Sequence, residues 1–232
     1  MKEFKNLQIR SIEFLELGLK YEGSAAIFEN LSLSPPMGKV VRVHGAAGAG
    51  KSTLLKIMAG LVAPTSGDYK INGESIAEMT FTDLIPYRLR IGYSFEMGGL
   101  LSNRTIAENL KLPLQFHQLL PIDQIELRVQ SLLEYFGLED VANTRPSEVS
   151  GSRRKAAIVA RSLVADPDLL LLDDPTTGLS DENRKNLCMY IVAKRSEGQL
   201  QNVFVVSDDQ KFCDDIIEST FVINKTGIIK AA

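Results

Sequence analysis

The segment GAAGAGKS, residues 45–52, combines small residues with a lysine and a serine in the pattern G-x-x-x-x-G-K-[ST]. It follows the β-branched stretch VVRVHG and opens the helical stretch KSTLLKIMAG, which is the context that a phosphate-binding loop requires. Small residues let the backbone wrap a phosphate, and free N–H groups at a helix start bind anions. An unliganded glycine-rich turn fits less well, because the pattern is complete. The predicted nucleotide-binding residues of this loop are Gly45, Ala46, Ala47, Gly48, Ala49, Gly50, Lys51, Ser52 and Thr53.

Within this loop, two side chains have predicted individual roles. Lys51 is expected to reach the β- and γ-phosphates of a nucleotide, and the Ser52 hydroxyl is expected to hold Mg²⁺. The implied cofactors are therefore ATP and Mg²⁺.

A second signal is LLLLDDPTTGLS, residues 169–180, in which four leucines precede two aspartates. The apolar run predicts a buried strand whose end meets the phosphate-binding loop. Asp173 is then expected to hold Mg²⁺, usually through water. A role as helix cap fits less well, because Pro175 follows so closely. For Asp174, these residues leave three roles open: a catalytic base, a metal ligand, or neither.

Strands and helices must position these residues, and the hydrophobic periodicity of the sequence predicts which segments form them. Strands are predicted in IRSIEFLELGLKY, AAIFENLSL, VVRVHG, GDYKING, IGYSF, LLLLD, VFVVSD and TFVIN. Helices are predicted in KSTLLKIMAG, TIAENLKL, DQIELRVQSLLEYFG, SRRKAAIVARSLVA and DENRKNLCMYIVAKR. Strands that alternate with helices indicate a mostly parallel, buried sheet. The β-rich start and the helical middle are additions to that α/β core.

Composition narrows the class of protein. The chain has 232 residues, 44% of them hydrophobic and 24% charged, which fits one medium domain with a large core. A net charge of −3 gives no sign of nucleic-acid binding, so we expect no nucleic-acid partner. No apolar run approaches the roughly 20 residues of a membrane span, and the start, MKEFKNLQIR, lacks an apolar signal core. Cys188 and Cys213 lie in helix-like segments and are expected to be reduced thiols.

The order of these motifs resembles that of ABC-type ATPases. The segment RPSEVSGSRRKAAIVARSLVADPDLLLLDDPTTGL is similar to the stretch from their signature sequence to the Walker B strand. Tyr21, 24 residues before Gly45, occupies the place of the aromatic that stacks on adenine. FEMGGLLSN occupies the Q-loop position, and VVSDDQ the position of the switch histidine. GGLLSN followed by TIAENLKLPL also resembles the ATPases of phospholipid-trafficking importers linked to mammalian-cell-entry proteins.

The resemblance implies a P-loop NTPase (RecA-like) core with an N-terminal antiparallel β-subdomain and an inserted α-helical subdomain. Residues 1–232 then form one ATPase domain, with core and β-subdomain in 1–95 and 157–232 and the helical subdomain in 96–156. Two such subunits pack head to tail around two ATP molecules. Ser150, Gly151 and Ser152 of the signature would contact the nucleotide held by the other subunit. An integral membrane permease would dock near residues 96–115, although Met97 is expected to pack against its own subdomain.

Three residues depart from the family pattern where it arranges water and the γ-phosphate. Asp174 replaces a glutamate and is one methylene shorter, so we expect a displaced, poor base that acts through an extra water or only as a second acid near the metal. Asp208 replaces the switch histidine, and an ionised aspartate cannot donate a hydrogen bond. We therefore expect Asp208 to turn away from the γ-phosphate, to hold a proton or to bind a cation. Glu96 replaces the Q-loop glutamine and could still meet Mg²⁺.

Two further loops also differ from that pattern. The signature reads VSGSR, in which Ser152 replaces a glycine and Arg153 a glutamine. Ser180 replaces the D-loop aspartate, although Asp181 follows it. Because the groups that bind nucleotide are kept and those that arrange the γ-phosphate are altered, we expect ATP binding with slowed hydrolysis.

Three functions compete on the sequence. The first is the ATP-binding subunit of an ABC transporter for a lipid or another hydrophobic substrate, peripheral to the cytoplasmic face of the inner membrane. The second is a nucleotide-sensing structural subunit with negligible turnover, paired with a competent ATPase. The third, a soluble ABC protein of repair or translation, is disfavoured by the single short ATPase unit without insertions.

Overall fold

The computed structural model describes residues 7–224 and the backbone of residues 230 and 231. Residues 1–6, 225–229 and 232 lie outside it, and with them most of the start considered above and both ends of the predicted domain. In the described residues the strands are β1 (Ile12–Lys20), β2 (Ala26–Leu33), β3 (Val40–His44), β4 (Ser66–Ile71), β5 (Glu74–Ser75), β6 (Ile91–Ser94), β7 (Leu169–Asp173), β8 (Asn202–Val206), β9 (Ser219–Val222) and β10 (Lys230–Ala231).

Seven α-helices lie in the same residues, and all the helices predicted from the sequence are among them. They are α1 (Lys51–Met58), α2 (Phe81–Arg88), α3 (Ile106–Phe116), α4 (Ile122–Tyr135), α5 (Gly151–Leu163), α6 (Asp181–Ser196) and α7 (Gln210–Ile216). Short 3-10 helices span Ile76–Glu78, Glu139–Val141 and Pro146–Glu148. None of the helices in the described ranges combines the length and apolarity that a membrane crossing needs.

The strands form two sheets. The N-terminal sheet has the order β2-β1-β4-β5 and is antiparallel. The larger sheet has the order β10-β9-β3-β8-β7-β6, and all its pairs are parallel except β9 with β10. The predicted fold class, an α/β core with an antiparallel β-subdomain and an inserted helical part, is therefore confirmed.

The four leucines of β7 show why this sheet has an almost continuous apolar sequence. Leu169 and Leu171 belong to one hydrophobic cluster, and Leu170 and Leu172 belong to another. All four are fully buried, because helices or the N-terminal sheet cover both faces of the parallel sheet.

The helical part has a core of its own. Leu132, Leu133, Phe136 and Leu138 are buried and belong to its hydrophobic cluster. Gly137, with φ +61°, follows the end of α4. The predicted boundary between residues 156 and 157 falls inside α5, so this helix belongs to both parts, and the division into subdomains stays a prediction.

Two features of the fold differ from the sequence predictions. Helix α2 was not predicted, because Pro86 lies inside it; a capping box between Thr80 and Asp83 starts the helix nevertheless. Met97 does not pack against its subdomain: its side chain is 82% exposed, and that expectation was wrong.

Cys188 and Cys213 lie in α6 and α7 as buried free thiols, and burial raises the pKa of Cys188 to about 11.

Candidate functional site

The phosphate-binding loop lies at the carboxyl end of β3 and leads into α1. A Cβ on Gly45 would meet the carbonyl oxygen of Ile223 at 2.4 Å. Gly50 has φ +89°, and a Cβ there would meet Ile27 and Phe28 of β2 at 2.7 Å. Both positions therefore need glycine, and the close approach of β2 fixes the loop against the antiparallel sheet.

The start of α1 is open to an anion. In the described part of the chain, five helices begin with a capping side chain, which is Thr80, Thr105, Ser150, Ser180 or Asp209. Helix α1 begins with Gly50, and neither a side-chain cap nor an acidic residue occupies its first turn. The Lys51 ammonium lies over the same loop, donating to the carbonyl oxygens of Gly45 at 2.8 Å and Ala46 at 3.2 Å. Free N–H groups and one cation suit a phosphate.

Asp173 ends β7 and is held from two sides. The Ser52 hydroxyl donates to its Oδ1 at 2.7 Å, and the Tyr93 hydroxyl donates to its Oδ2 at 3.0 Å. Asp173 itself is only 3% exposed. The sequence predicted that Ser52 and Asp173 share a metal site, and the structure brings them together; their roles toward Mg²⁺ stay predictions.

The three altered residues meet at the same edge, because the strands before them are parallel. Asp174 follows β7, Asp208 follows β8 and Glu96 follows β6. The Asp174 N–H donates to Val206 O at 2.8 Å, and its backbone is left-handed with φ +43°. Aspartate and asparagine are among the few residues that adopt this conformation readily.

The side chains of these three residues have no hydrogen-bonding partner within the described ranges. Asp208 and Glu96 are exposed and Asp174 is partly buried. Of the alternatives for Asp208, an outward orientation matches its exposure.

A buried cation of α5, Lys155, lies beside these carboxylates. It is 4% exposed, and its ammonium donates to the carbonyl oxygens of Glu96 at 2.8 Å and Phe95 at 3.2 Å. Burial lowers the pKa of Lys155, whereas the charges of Asp174, Asp173 and Glu96 act in the opposite direction. The sequence predicted only a helix in SRRKAAIVARSLVA, so the contact of Lys155 with the loop at 95–96 was missed.

The signature residues lie at the start of the same helix. Ser150 is the N-cap of α5 and accepts from the Arg153 N–H at 3.4 Å. The Arg153 guanidinium is paired with Asp140 at 2.5 Å. Ser150 and Gly151 are exposed and Ser152 is partly exposed, so all three are accessible at the surface. Their role toward a second subunit stays a prediction.

The D-loop substitution has a local explanation. Ser180 accepts a hydrogen bond from the Asn183 N–H at 3.2 Å as the N-cap of α6. Arg184 of α6 is buried and lies within 4.0 Å of carboxylate oxygens of Asp181, Asp209 and Asp215. It connects this turn to the loop that carries Asp208. A single arginine within a polar helix gave no signal of this in the sequence.

Tyr21 lies in the turn between β1 and β2, next in sequence to the strand pair that packs on Gly50. Its side chain is 48% exposed and therefore accessible to a nucleotide base. Stacking on adenine stays a prediction.

A groove of about 250 Å³ separates the core from the helical part. Its lining includes Leu61, Tyr93, Phe95, His117 and Arg161. Arg161 also donates to the carbonyl oxygen of Gly99, which ties α5 to the loop that follows Glu96.

The residues present fit ATP and Mg²⁺. The open start of α1 suits the phosphates, and Ser52 with Asp173 offers oxygen ligands of the kind that Mg²⁺ prefers. In the described ranges no group of three or more His, Cys, Asp or Glu side chains could hold a metal by itself. This fits Mg²⁺, which takes one or two protein oxygens and completes its shell with phosphates and water.

Comparison with known proteins identifies the family. The family model described as ABC transporter matches residues 28–177. The intermembrane phospholipid transport system ATP-binding protein MlaF of Escherichia coli (strain K12) is 36% identical over 187 residues, which are 81% of this chain and 69% of that protein. MlaF of Haemophilus influenzae is 31% identical over 218 residues, covering 94% and 82%.

A methionine import protein and a solved cassette are also similar. The methionine import ATP-binding protein MetN 2 of Paraburkholderia xenovorans is 34% identical over 209 residues, 89% of this chain, but the match spans only 53% of that relative's length. The dimeric cassette MJ0796 superimposes with a TM-score of 0.85 at 25% identity, covering 95% of this chain and 98% of the other. A structure of MJ0796 bound to ADP and Pi matches equally well at 24% identity, which supports the fold.

Proposed function

The chain belongs to the ABC transporter family, and from that premise we propose that it is the ATP-binding subunit of a transporter that moves phospholipid or another hydrophobic substrate. It binds Mg-ATP at a head-to-tail interface with a second ATPase subunit and hydrolyses it slowly. The observation that carries this proposal is the Ser52–Asp173 hydrogen bond of 2.7 Å beside the open start of α1. This hydrogen bond supports the proposal, because it joins two oxygen side chains of the kind that Mg²⁺ prefers, next to a helix start that suits an anion.

Each residue of the nucleotide-binding half of the site has a separate role in this proposal. The N–H groups of the first turn of α1 and the Lys51 ammonium bind the phosphates. Ser52 would ligate the metal, and Asp173 would accept a hydrogen bond from the serine hydroxyl and hold the metal through water. Mg²⁺, when bound, neutralises charge on the phosphate oxygens. Tyr21 stacks on the base.

Slow hydrolysis is proposed from the other half of the site. The side chains of Glu96, Asp174 and Asp208 have no hydrogen bond in the described part of the chain, and all three are acidic. Carboxylates repel a γ-phosphate, and an unattached carboxylate is a poorly placed base. Lys155 offsets part of this negative charge but is itself engaged with loop carbonyls.

The groove between the core and the helical part is the proposed docking site of a membrane permease. Three large apolar side chains near it are exposed: Leu61 at 44%, Met97 at 82% and Phe116 at 76%. Leu61 lines the groove, and Phe116 packs edge-on against His117, which also lines it. Apolar side chains around a concave surface are typical of a protein interface. The subunit would then lie on the cytoplasmic face of the inner membrane.

The hydrophobic cargo is proposed from the similarity to two MlaF proteins, which are named as phospholipid transport ATP-binding proteins. A small polar cargo is the alternative, because the sequence identity to the methionine import protein is comparable with the identity to the MlaF proteins. The site that chooses cargo would belong to the permease.

A second candidate function is favoured by the same unattached carboxylates. The chain would bind ATP and close without appreciable turnover, as a nucleotide-sensing subunit paired with a competent ATPase. The partner would still receive the VSGSR signature, in which Arg153 is already paired with Asp140.

Mg-ATP turnover separates these functions. We would compare the wild-type chain with a variant that carries Asp174→Glu, Asp208→His and Glu96→Gln together, and measure Mg-ATP binding by calorimetry in parallel. We expect the wild type to bind Mg-ATP and to turn over at least about tenfold more slowly than the variant. A silent wild type beside an active variant favours the nucleotide-sensing subunit. Equal turnover contradicts slowed hydrolysis, and absence of Mg-ATP binding contradicts both functions.

A further inference from the structure

Tyr93 lies next to the proposed metal site, although no motif of the sequence pointed to it. It belongs to β6, where it pairs with Leu171 of β7, and Asp173 lies two residues further on the same face of β7. The Tyr93 hydroxyl donates to Asp173 Oδ2 at 3.0 Å while Ser52 donates to Oδ1 at 2.7 Å. Both carboxylate oxygens of this buried residue therefore have a donor.

The tyrosine ring is itself fixed. Its centroid lies 4.5 Å from that of Phe95 in an edge-to-face arrangement with an interplanar angle of 73°. The Tyr93 hydroxyl acts toward Asp173 as a donor, because an ionised carboxylate can only accept.

A serine hydroxyl that ligates a metal through an oxygen lone pair still carries its proton and donates it in a hydrogen bond to another acceptor. Asp173 Oδ1 is that acceptor for Ser52. The carboxylate can keep Oδ1 in this orientation only if Oδ2 is held as well, because a carboxylate with one partner rotates about its Cβ–Cγ bond.

We propose that Tyr93 is a positioning residue of the magnesium site, which holds the Asp173 carboxylate in the orientation that lets Ser52 ligate the metal. This rests on the proposed function, namely the binding of Mg-ATP by this loop. Tyr93 does not touch nucleotide or metal. It acts through Asp173, as partners of metal-bound groups commonly do.

The test is Tyr93→Phe, which removes one hydroxyl and keeps the ring. The chain offers a matched control in Tyr87, whose hydroxyl donates at 3.1 Å to another carboxylate, that of Glu74, outside the site. For each variant we would measure affinity for ATP in EDTA, and then the concentration of Mg²⁺, or of Mn²⁺ followed by paramagnetic resonance, that half-saturates the ATP complex.

We expect Tyr93→Phe to raise the half-saturating metal concentration about tenfold, and to change ATP affinity in EDTA less than about twofold. Tyr87→Phe should change neither quantity. In an Asp173→Asn background, Tyr93→Phe should have no further effect on metal affinity, because the residue through which it acts has lost its charge.

Three results would overturn the inference. One is a Tyr93→Phe variant with wild-type metal affinity, and another is an equal loss of ATP affinity in EDTA, which would indicate a general packing defect. The third is an undiminished effect in the Asp173→Asn background. A wild-type chain whose ATP affinity does not respond to Mg²⁺ would instead overturn the proposed function, and the two failures are distinguished by the wild-type titration alone.

Discussion

The two halves of the candidate site are built differently. On the phosphate side, Lys51, Ser52 and Asp173 are held by hydrogen bonds within the chain, with Tyr93 behind them. On the side that would face the γ-phosphate and water, the side chains of Glu96, Asp174 and Asp208 have no such bonds in the described residues. Preorganised groups bind ligand without losing much entropy, whereas free side chains must be ordered by something else. Under the proposed function, the chain would therefore hold its binding groups in place by itself, and the ligand or a partner subunit would arrange the reacting end.

The largest effect should come from the prepared half. Lys51→Met removes the cation that lies over the phosphate-binding loop, and we expect ATP affinity to fall roughly 10- to 100-fold, since a hydrogen bond to a charged group contributes about 1.5–3 kcal/mol. Calorimetric titration with Mg-ATP measures this. Lys56→Met, on the same helix but in its last turn, is the control and should bind almost normally. Equal losses in both variants would mean that the loop is not specifically prepared.

The second-largest effect is expected from Lys155, which lies between the two halves of the site. Lys155→Met leaves the carbonyl oxygens of Phe95 and Glu96 without their donor, and we expect the free energy of unfolding to fall by about 1–2 kcal/mol. Urea denaturation of this variant beside Lys185→Met, which removes an exposed lysine of α6, gives the difference. Lys155→Arg should recover part of the loss. A Lys155→Met chain as stable as the control would show that the loop at 95–96 is not held from α5.

A smaller effect is expected from a charge in the unprepared half. Asp208→Asn removes a negative charge near the proposed γ-phosphate position, and ATP should bind about two- to fourfold more tightly at low ionic strength. Because Asp208 is exposed, salt near 0.5 M should abolish most of the gain. The comparison is with Asp123→Asn, at an exposed position of α4. Weaker binding after Asp208→Asn would indicate that this carboxylate contacts a bound cation.

The smallest effect should follow Asp174→Glu alone. Asp174 adopts φ +43°, which glutamate tolerates less well, and Glu96 and Asp208 remain unchanged around it. We expect the rate of Mg-ATP hydrolysis to change less than about threefold, because residues of one catalytic unit do not act additively. The measurement is steady-state turnover of the two chains at saturating Mg-ATP. A gain above tenfold would mean that the length of this one side chain is what limits turnover.

Most of the fold was predictable because its signals are local. The leucines of β7, the glycine-rich loop and the amphipathic pattern of α4 each identify their element without help from distant residues. Helix α2 was not predictable in this way, since Pro86 disguises a helix that depends on its capping box. The exposure of Met97 likewise depends on tertiary packing rather than on any local pattern.

The site follows the same division. Ser52 and Asp173 could be paired from sequence because both belong to motifs at the ends of parallel strands. Tyr93 and Lys155 could not, since their contacts join β6 to β7 and α5 to the loop after β6. A tyrosine in a strand and a lysine in a helix carry no sign of such long-range partners.

Helix α5 runs without interruption from the signature residues to the groove. Ser150 caps its start, and Arg161, near its end, is bonded to the carbonyl oxygen of Gly99 at the groove. At 1.5 Å per residue these two positions are roughly 16 Å apart along the axis. A tilt of about 10° applied at the groove would therefore sweep Ser150 through roughly 3 Å, which is the span of one hydrogen bond.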